Sequence, residues 1–245
     1  MMRLALIGDP VEHSTSPTLH RGFLDEAGID GEYVAIRVAR GDGARAILRL
    51  RADGFTGCNV TYPLKEEAFE VSEARSDEAR RAQAVNTIFF GREILGTTTD
   101  GAGARTAIEA LLDEPVALKR IGVLGYGATA RAVLAALQEN DAYAFVWGRD
   151  AERVSQTCRR FEAKPWPENP PEIVISTLPP EASLPGDLIA QLRSADMVMD
   201  ANYGDRSRLA QRLNREVIPG DAMLEAQARA SFDFWLAHLD RVAGG

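Results

Sequence analysis

The stretch Ile121-Gly122-Val123-Leu124-Gly125-Tyr126-Gly127-Ala128-Thr129-Ala130 decides the fold predicted for the second half of this chain. A short apolar run, typical of a buried strand, ends in a glycine turn, and the turn opens a helix with apolar residues on one side. The first glycine, Gly125, permits a tight bend, and the second, Gly127, lets the backbone approach a pyrophosphate at the helix N-terminus. Ala130 stands where a third glycine is usual and is still small enough for close packing. The stretch therefore predicts a dinucleotide-binding turn, with a plain strand-to-helix turn as the alternative.

The residues that would distinguish NADP from NAD should lie at the end of the next predicted strand, Phe145–Trp147. There the chain reads Gly148-Arg149-Asp150. Arg149 could hold a 2′-phosphate, which favours NADP, whereas Asp150 could accept a hydrogen bond from the ribose 2′-hydroxyl, which favours NAD. The two residues point to different cofactors, and both remain open at this stage.

Helical and strand periods alternate along the whole chain, which predicts an α/β protein. Before the glycine turn we predict strands at 4–8, 33–38 and 55–60, a hairpin of 85–90 with 93–97, and helices at 16–27, 44–51, 64–71, 73–81 and 102–112. From residue 121 onward we predict strands at 121–124, 145–147, 173–177 and 197–200, a helix at 151–160, a proline-rich surface loop at 165–171 and a final amphipathic helix at about 222–239. The hairpin adds an antiparallel element to an otherwise parallel pattern.

Composition excludes several classes of protein. The chain has 245 residues with 45% hydrophobic content, enough for one large domain or two modest ones, and its net charge of -8 offers no basic footprint for nucleic acid. No apolar run approaches the length of a membrane span, and the first residues are too few for a signal peptide before a glycine-bounded strand begins. Cys58 and Cys158 lack metal-ligand spacing and give no reason to expect a disulfide, and the three histidines lack His-x-x-x-His spacing. We therefore expect a soluble cytoplasmic protein without a metal site.

A polar cluster stands at a predicted strand-to-helix turn, in Asn59-Val60-Thr61-Tyr62-Pro63-Leu64-Lys65. Pro63 stops a central strand and is compatible with a helix start, so Lys65 falls at the beginning of the helix. A cation beside neutral hydrogen-bonding groups suits an alcohol or ketone substrate. The alternative for Lys65 alone is a solvated lysine.

Other residues could join this lysine. Asp100 follows the hairpin and would fix an ammonium group, although alone it would be an ordinary helix cap. Asn86 lies in an apolar strand and needs a partner, either backbone or ligand. Ser14 and Ser16 follow the first strand, where open α/β sheets bind ligands, and could offer hydroxyls to a carboxylate, with helix capping as the alternative for Ser16.

Taken in order, these motifs resemble the shikimate dehydrogenase family over nearly the whole chain. They are the serine segment at 14–16, Asn-Val-Thr-x-Pro-x-Lys at 59–65, Ala-Val-Asn-Thr at 84–87, Thr-Asp-Gly at 99–101, the glycine turn, and Met-Leu-Glu-Ala-Gln at 223–227 with Phe232 and Trp235. The resemblance implies a two-domain α/β fold. Residues 1–100 with 221–245 would form a mixed α/β substrate-binding domain, and residues 101–220 a Rossmann-like, doubly wound NAD(P)-binding domain.

The resemblance also implies roles. Lys65 and Asp100 would form the catalytic pair, and Asn59 would support the turn that directs Lys65. Substrate would be held by Ser14, Ser16, Thr61, Asn86, Tyr203 and Gln227, with Ser14, Ser16 and Tyr203 near its carboxylate and Asn86 and Gln227 on ring hydroxyls. Cofactor contacts would come from Gly125, Gly127, Ala128, Thr129, Arg149, Asp150, Thr177 and Met223.

Three motifs depart from the family pattern. Thr98 replaces the asparagine of Gly-x-Asn-Thr-Asp, Gly148-Arg149-Asp150 replaces Asn-Arg-Thr, and Ser176-Thr177-Leu178-Pro179 replaces Asn-Ala-Thr-Pro. The departures concern the cofactor more than the substrate.

The expected function is reversible NADPH-dependent reduction of 3-dehydroshikimate to shikimate, in aromatic amino-acid biosynthesis, by a monomer or homodimer. The alternatives are an NAD-dependent quinate/shikimate dehydrogenase, favoured by Asp150, and a non-catalytic ligand-binding homologue, against which the retention of both Lys65 and Asp100 argues.

Overall fold

The computed structural model describes the backbone of residues 1–243 and the side chains of residues 1–239. The chain forms two compact units, Met1–Asp100 together with the chain from Gln227, and Gly101–Ala226. Each unit is built on one six-stranded sheet. None of the helices in the described part of the chain has the length and apolar content needed to cross a membrane.

The first unit has a mixed sheet. Its elements are β1 (Met2–Gly8), α1 (Ser16–Glu26), β2 (Gly31–Arg37), α2 (Gly43–Ala52), β3 (Gly57–Val60), α3 (Lys65–Val71), β4 (Ala74–Arg75), α4 (Asp77–Ala82), β5 (Thr87–Phe90) and β6 (Ile94–Thr97). The strand order is β2-β1-β3-β5-β6-β4, with β1 parallel to β2 and β3 and with β5 antiparallel to β3 and β6. The predicted hairpin is present as β5 and β6.

The second unit has an all-parallel sheet. Its elements are α5 (Asp100–Leu112), whose first residue belongs to the first unit, β7 (Arg120–Leu124), α6 (Ala128–Glu139), β8 (Tyr143–Trp147), α7 (Ala151–Phe161), β9 (Lys164–Pro165), β10 (Ile173–Ser176), α8 (Gly186–Ser194), β11 (Met197–Asp200), α9 (Leu209–Leu213) and β12 (Ile218–Pro219). The order β12-β11-β10-β7-β8-β9 is that of a doubly wound nucleotide-binding sheet, and it reverses direction between β7 and β10. The last helix, α10 (Asp221–Ala243), starts in this unit and continues in the first.

The charged segment predicted as one helix over 73–81 is not one helix. The backbone N–H of Glu73 donates to Ile94 O at 2.9 Å and that of Ser76 to Gly96 O at 3.0 Å, which places β4 against β6. Ser76 then caps α4, because its hydroxyl accepts from Ala79 N at 3.2 Å. Similarly, the first residue of the predicted proline-rich loop, Pro165, belongs to β9, an edge strand, where proline is tolerated.

Close packing brings α10 against the first sheet. Trp235 is fully buried, and its Nε1 donates to the backbone oxygen of Ile88 on β5 at 2.8 Å. A Cβ on Gly57 would lie 2.3 Å from Ile88 O and 2.6 Å from Trp235 Nε1, so only glycine fits here. This contact fixes where the polar residues of α10 meet β3 and β5.

Candidate active site

A buried ion pair lies within the first unit. Lys65 is the first residue of α3, and its Nζ lies 2.5 Å from Oδ2 of Asp100, the first residue of α5. The two side chains are only 12% and 8% exposed. A charge at such depth is costly unless it is paired, so each group requires the other. The alternative of a solvated Lys65 is excluded.

The carboxamide of Asn86 hydrogen-bonds the second oxygen of Asp100. Its Nδ2 donates to Asp100 Oδ1 at 2.8 Å, while its Oδ1 accepts from Thr99 N at 3.0 Å and from Thr87 Oγ1 at 2.8 Å. Because a backbone N–H can only donate, it fixes the amide with its oxygen toward Thr99 and its nitrogen toward Asp100. Asp100 therefore accepts from Lys65 on one oxygen and from Asn86 on the other.

Gln227, near the start of α10, joins the same cluster. Its Oε1 lies 3.3 Å from Asn86 Nδ2 and 3.4 Å from Thr99 Oγ1. Four of the predicted site residues, Lys65, Asp100, Asn86 and Gln227, thus form one hydrogen-bonded group although they come from four separate segments.

The turn before α3 is hydrogen-bonded to the first strand and to Asp9 after it, while Asn59, on β3, contacts other segments. Asn59 is buried, donates through Nδ2 to Asn86 O at 3.1 Å and accepts from Tyr33 Oη at 2.8 Å, so its contacts are structural. Thr61 is partly exposed, and its backbone N donates to Ile7 O at 2.9 Å. A Cβ on Gly8 would lie 2.3 Å from Thr61 Cγ2, so β1 must end in glycine for this turn to pack.

The two predicted serines form a pair at the start of α1. Ser14 Oγ lies 3.2 Å from Ser16 Oγ and accepts from Ser16 N at 3.3 Å. The N-cap is Thr15, whose side chain makes no capping bond, so Ser16 does not serve as the cap. Ser16 is buried and Ser14 half-buried. Thr98, the departure near Asp100, is buried too, and its Oγ1 has no hydrogen-bond partner within the described residues.

In the second unit, the glycine turn lies at the sheet's switch point. Gly125 has φ +113°, which strongly favours glycine, and a Cβ there would lie 2.6 Å from Thr177 Oγ1. Thr177 follows β10 and donates to Leu124 O at 2.8 Å. At Gly127, just before α6, a Cβ would have nothing within 4 Å, so a ligand can approach this backbone. Ala128 and Thr129 begin α6, whose N-terminus is suited to a pyrophosphate.

At the end of β8, Asp150 has a structural task. It is the N-cap of α7, with Oδ1 accepting from Arg153 N at 3.1 Å. The Arg153 guanidinium carbon lies 4.4 Å above the ring of Tyr126, the residue between the two glycines of the turn. Arg149, like Asp150, is exposed. Sequence reasoning missed Arg153, although its position three residues after Asp150 puts it in the first turn of α7.

Tyr203 lies in a loop organised by a residue that the sequence analysis did not select. Asp200, at the end of β11, accepts from Asn202 N at 3.1 Å and Asn202 Nδ2 at 2.8 Å, and Ser207 Oγ lies 3.3 Å from its other oxygen. Burial raises the pKa of Asp200 above its ordinary value, and these hydrogen bonds oppose the shift. Met223 is buried in the apolar core of the second unit. The ligand contacts assigned to Tyr203 and Met223 stay predictions.

Similar sequences indicate which known proteins this arrangement of residues resembles. The family model described as the shikimate dehydrogenase substrate binding domain matches residues 6–88. A protein of Acidiphilium cryptum named shikimate dehydrogenase (NADP(+)) is 44% identical over 161 residues, 65% of this chain and 58% of that protein. One of Methanosarcina mazei with the same name is 40% identical over 167 residues, 66% of this chain and 59% of that protein. The matched region thus spans less than two thirds of the length of these curated relatives.

Comparisons of structure cover more of the chain. The crystal structure of shikimate dehydrogenase from Aquifex aeolicus superposes with a TM-score of 0.84 at 27% identity, covering 96% of this chain and 92% of that one. The Thermus thermophilus enzyme in complex with NADP(H) and shikimate gives 0.82 at 29% identity, covering 96% and 93%. These neighbours confirm the predicted fold class, a mixed α/β domain followed by a Rossmann-like domain.

Proposed function

We propose that this chain, whose residues 6–88 match the model of the shikimate dehydrogenase substrate binding domain, catalyses the reversible, NADP-dependent reduction of 3-dehydroshikimate to shikimate, a step of aromatic amino-acid biosynthesis. The observation that carries this proposal is the buried Lys65–Asp100 pair, joined through Asn86 to Gln227. A ketone reductase needs a proton donor and a positive charge beside the carbonyl oxygen, and a lysine held by a carboxylate supplies both.

In the proposed reaction, Lys65 acts on the carbonyl oxygen. Its ammonium group stabilises the negative charge that develops there and donates a proton through Nζ, and in the reverse direction it accepts the hydroxyl proton, directly or by relay. NADPH, when bound, supplies the hydride. Asp100 holds the ammonium in place, and Asn86 prevents the carboxylate from turning away because it engages the second oxygen.

The polar residues around this pair suit a polyhydroxy acid. Ser14 and Ser16 stand at the N-terminus of an 11-residue helix, where the helix dipole favours a carboxylate, and we assign them to that group. We assign Thr61, Asn86 and Gln227 to the ring hydroxyls and the reacting oxygen, since amides and hydroxyls both donate and accept.

For the cofactor, we propose NADP over NAD. Gly125, Gly127, Ala128, Thr129, Thr177 and Met223 would hold the dinucleotide, while Arg149 and Arg153 would hold the 2′-phosphate. The supporting observation is that Asp150 is occupied as the cap of α7, so its carboxylate is turned to a backbone N–H as an acceptor. Arg149→Ala should therefore raise the KM for NADP about tenfold and leave the KM for NAD nearly unchanged, since each charge-assisted phosphate contact contributes on this scale.

The decisive experiment is a steady-state assay of purified protein with shikimate or quinate, each against NADP and NAD, following absorbance of the reduced cofactor. The proposal expects the highest kcat/KM for shikimate with NADP. A preference for NAD with either acid would favour the quinate/shikimate alternative, and no turnover in any of the four combinations would favour a ligand-binding protein. Light scattering on the same sample distinguishes monomer from homodimer.

A further inference from the structure

Ser231 occupies an unusual position on α10. It is fully buried, lies four residues after Gln227, and donates to Gln227 O at 2.9 Å. A serine in this helical arrangement usually makes only that backbone bond. Here, however, the hydroxyl faces three further polar groups from other segments of the same unit.

These three groups come from β3, from β5 and from the segment that leads into α5. Asn59 Nδ2 lies 3.1 Å, Thr87 Oγ1 2.7 Å and Thr99 Oγ1 3.1 Å from Ser231 Oγ. With its proton given to Gln227 O, Ser231 Oγ accepts from Asn59 Nδ2 and from one threonine hydroxyl at a time, since the oxygen has two lone pairs and each threonine has a single proton. The hydroxyl is therefore a further point, besides Trp235 Nε1, at which α10 is hydrogen-bonded to the rest of the first unit.

The same two threonines hold the carboxamide of Asn86. Thr87 Oγ1 lies 2.8 Å and Thr99 Oγ1 3.3 Å from Asn86 Oδ1, and that carboxamide engages Asp100 and Gln227 through its nitrogen. A shift of either threonine hydroxyl would thus be passed on to the groups assigned to substrate.

We propose that Ser231 is a positioning residue, which sets the orientation of Asn86 and the register of Gln227 toward the substrate hydroxyls. The expected change in the KM for shikimate rests on the proposed function. The expected change in the positions of Asn86 and Gln227 rests on geometry alone. The Ser231 hydroxyl makes no hydrogen bond to Lys65 or Asp100, so its effect on the site passes through Asn86 and Gln227.

The kinetic test is Ser231→Ala. Loss of the shared acceptor leaves buried donors short of a partner, so the KM for shikimate should rise about tenfold while kcat falls by less than about threefold and the KM for NADP stays within about twofold. Ser231→Thr keeps the hydroxyl and adds a methyl group at a fully buried site, so it should lower stability yet retain a near-normal KM for shikimate.

Ser72→Ala is the matched control. Ser72 is a buried serine of the same unit whose hydroxyl donates to a carbonyl four residues earlier, Ala68 O, at 2.7 Å, and within the described residues it has no other hydrogen-bond partner. Both of its KM values should stay within about twofold of those of the unaltered protein. Equal effects of Ser231→Ala and Ser72→Ala, or a KM for shikimate raised equally by Ser231→Thr and Ser231→Ala, would overturn the proposal.

A readout without substrate separates this inference from the proposed function. In ¹H–¹⁵N spectra, Ser231→Ala should move the side-chain amide signals of Asn86 and Gln227, and Ser72→Ala should leave both in place. If the unaltered protein fails to oxidise shikimate, the proposed function falls while these spectra still decide the role of Ser231. Unmoved amide signals in Ser231→Ala would refute that role whatever the activity.

Discussion

A buried neutral histidine makes the stability of the first unit depend on pH. His20, on α1, has no exposed surface, and within the described residues neither ring nitrogen has a hydrogen-bond partner. Its ring stacks on Tyr33 at 4.4 Å between centroids and lies 5.3 Å from Trp235. Burial lowers the pKa of His20 from 6.5 to about 3, with the charge of Arg229 adding to the shift and the nearby Asn59 carboxamide opposing it. The folded protein therefore excludes a proton that the unfolded chain accepts.

The size and sign of the effect follow from the two pKa values. A lowered pKa contributes stability that is present above the unfolded value of 6.5 and is lost as pH falls toward about 3. Between pH of about 7.5 and about 5.5, the unfolded histidine goes from roughly one tenth to nine tenths protonated while the folded one stays neutral. The free energy of unfolding should therefore fall by about 1.4 kcal/mol on account of His20 alone.

His20→Phe removes this contribution and keeps a ring of similar shape. On going from pH of about 7.5 to about 5.5, the free energy of unfolding should fall by about 1.4 kcal/mol less in His20→Phe than in the unaltered protein. Any steric strain in the variant lowers its stability at both pH values and cancels from this difference. Urea unfolding followed by the fluorescence of Trp235, in a Trp147→Phe/Trp166→Phe background, reports on the first unit.

His13→Gln is the control for the histidine measurement, because the side chain of His13 is exposed. It should show the same pH dependence as its parent. An equal pH dependence in His20→Phe and its parent would refute the reasoning, since it would mean that His20 takes up its proton as readily when folded as when unfolded.

Three further predictions concern other parts of the chain. Lys65→Ala should lower kcat for shikimate oxidation by about 10²–10⁴-fold with a modest change in KM, and near-normal turnover would remove Lys65 from the mechanism. Asp150→Ala should destabilise the second unit by roughly 0.5–2 kcal/mol in urea unfolding, through loss of the α7 cap, while NADP stays preferred over NAD in kcat/KM; a switch to NAD would contradict the assignment. Gly57→Ala should destabilise the first unit by more than about 2 kcal/mol, because its Cβ meets backbone at 2.3 Å, whereas Gly22→Ala, with nothing within 4 Å, should be neutral or stabilising.

Much of the fold could be predicted from the sequence because its longer elements carry clear periods. The hairpin was predictable from two apolar runs around Gly91-Arg92, and β11 begins and ends at the predicted residues. The short strands β4, β9 and β12 were not, since two residues carry no period and pair only because the neighbouring strand offers an edge. For β4 and α4, one capping serine, Ser76, decided where the helix begins.

The candidate site residues could be selected from the sequence, but the hydrogen bonds that join them could not, and their roles stay predictions. Motif order pointed to Lys65, Asp100, Asn86 and Gln227, yet nothing local could show that Asn86 bonds both the carboxylate of Asp100 and the helix residue Gln227. Those contacts depend on how α10 packs on β5, which is a property of the folded unit. Asp150 shows the same limit, because the sequence suggested only a cofactor contact for it, and its role as the cap of α7 became apparent only where α7 was seen to begin beside it.

The direction of the hydrogen bonds explains why this cluster behaves as one unit. Thr99 N and Asn86 O, as backbone groups, can only donate and only accept, so they fix the amides of Asn86 and Asn59 in turn. Asn86 thus directs its oxygen to Thr99 N and its nitrogen to Asp100, and Asn59 directs its nitrogen to Asn86 O and its oxygen to Tyr33. The residues proposed for substrate binding and for catalysis are consequently not independent here, because Asn86 cannot turn toward a ligand without releasing Asp100. A site of this kind is set by the backbone around it, which is why the residues far from the chemistry, such as Ser231 and Thr87, belong to its description.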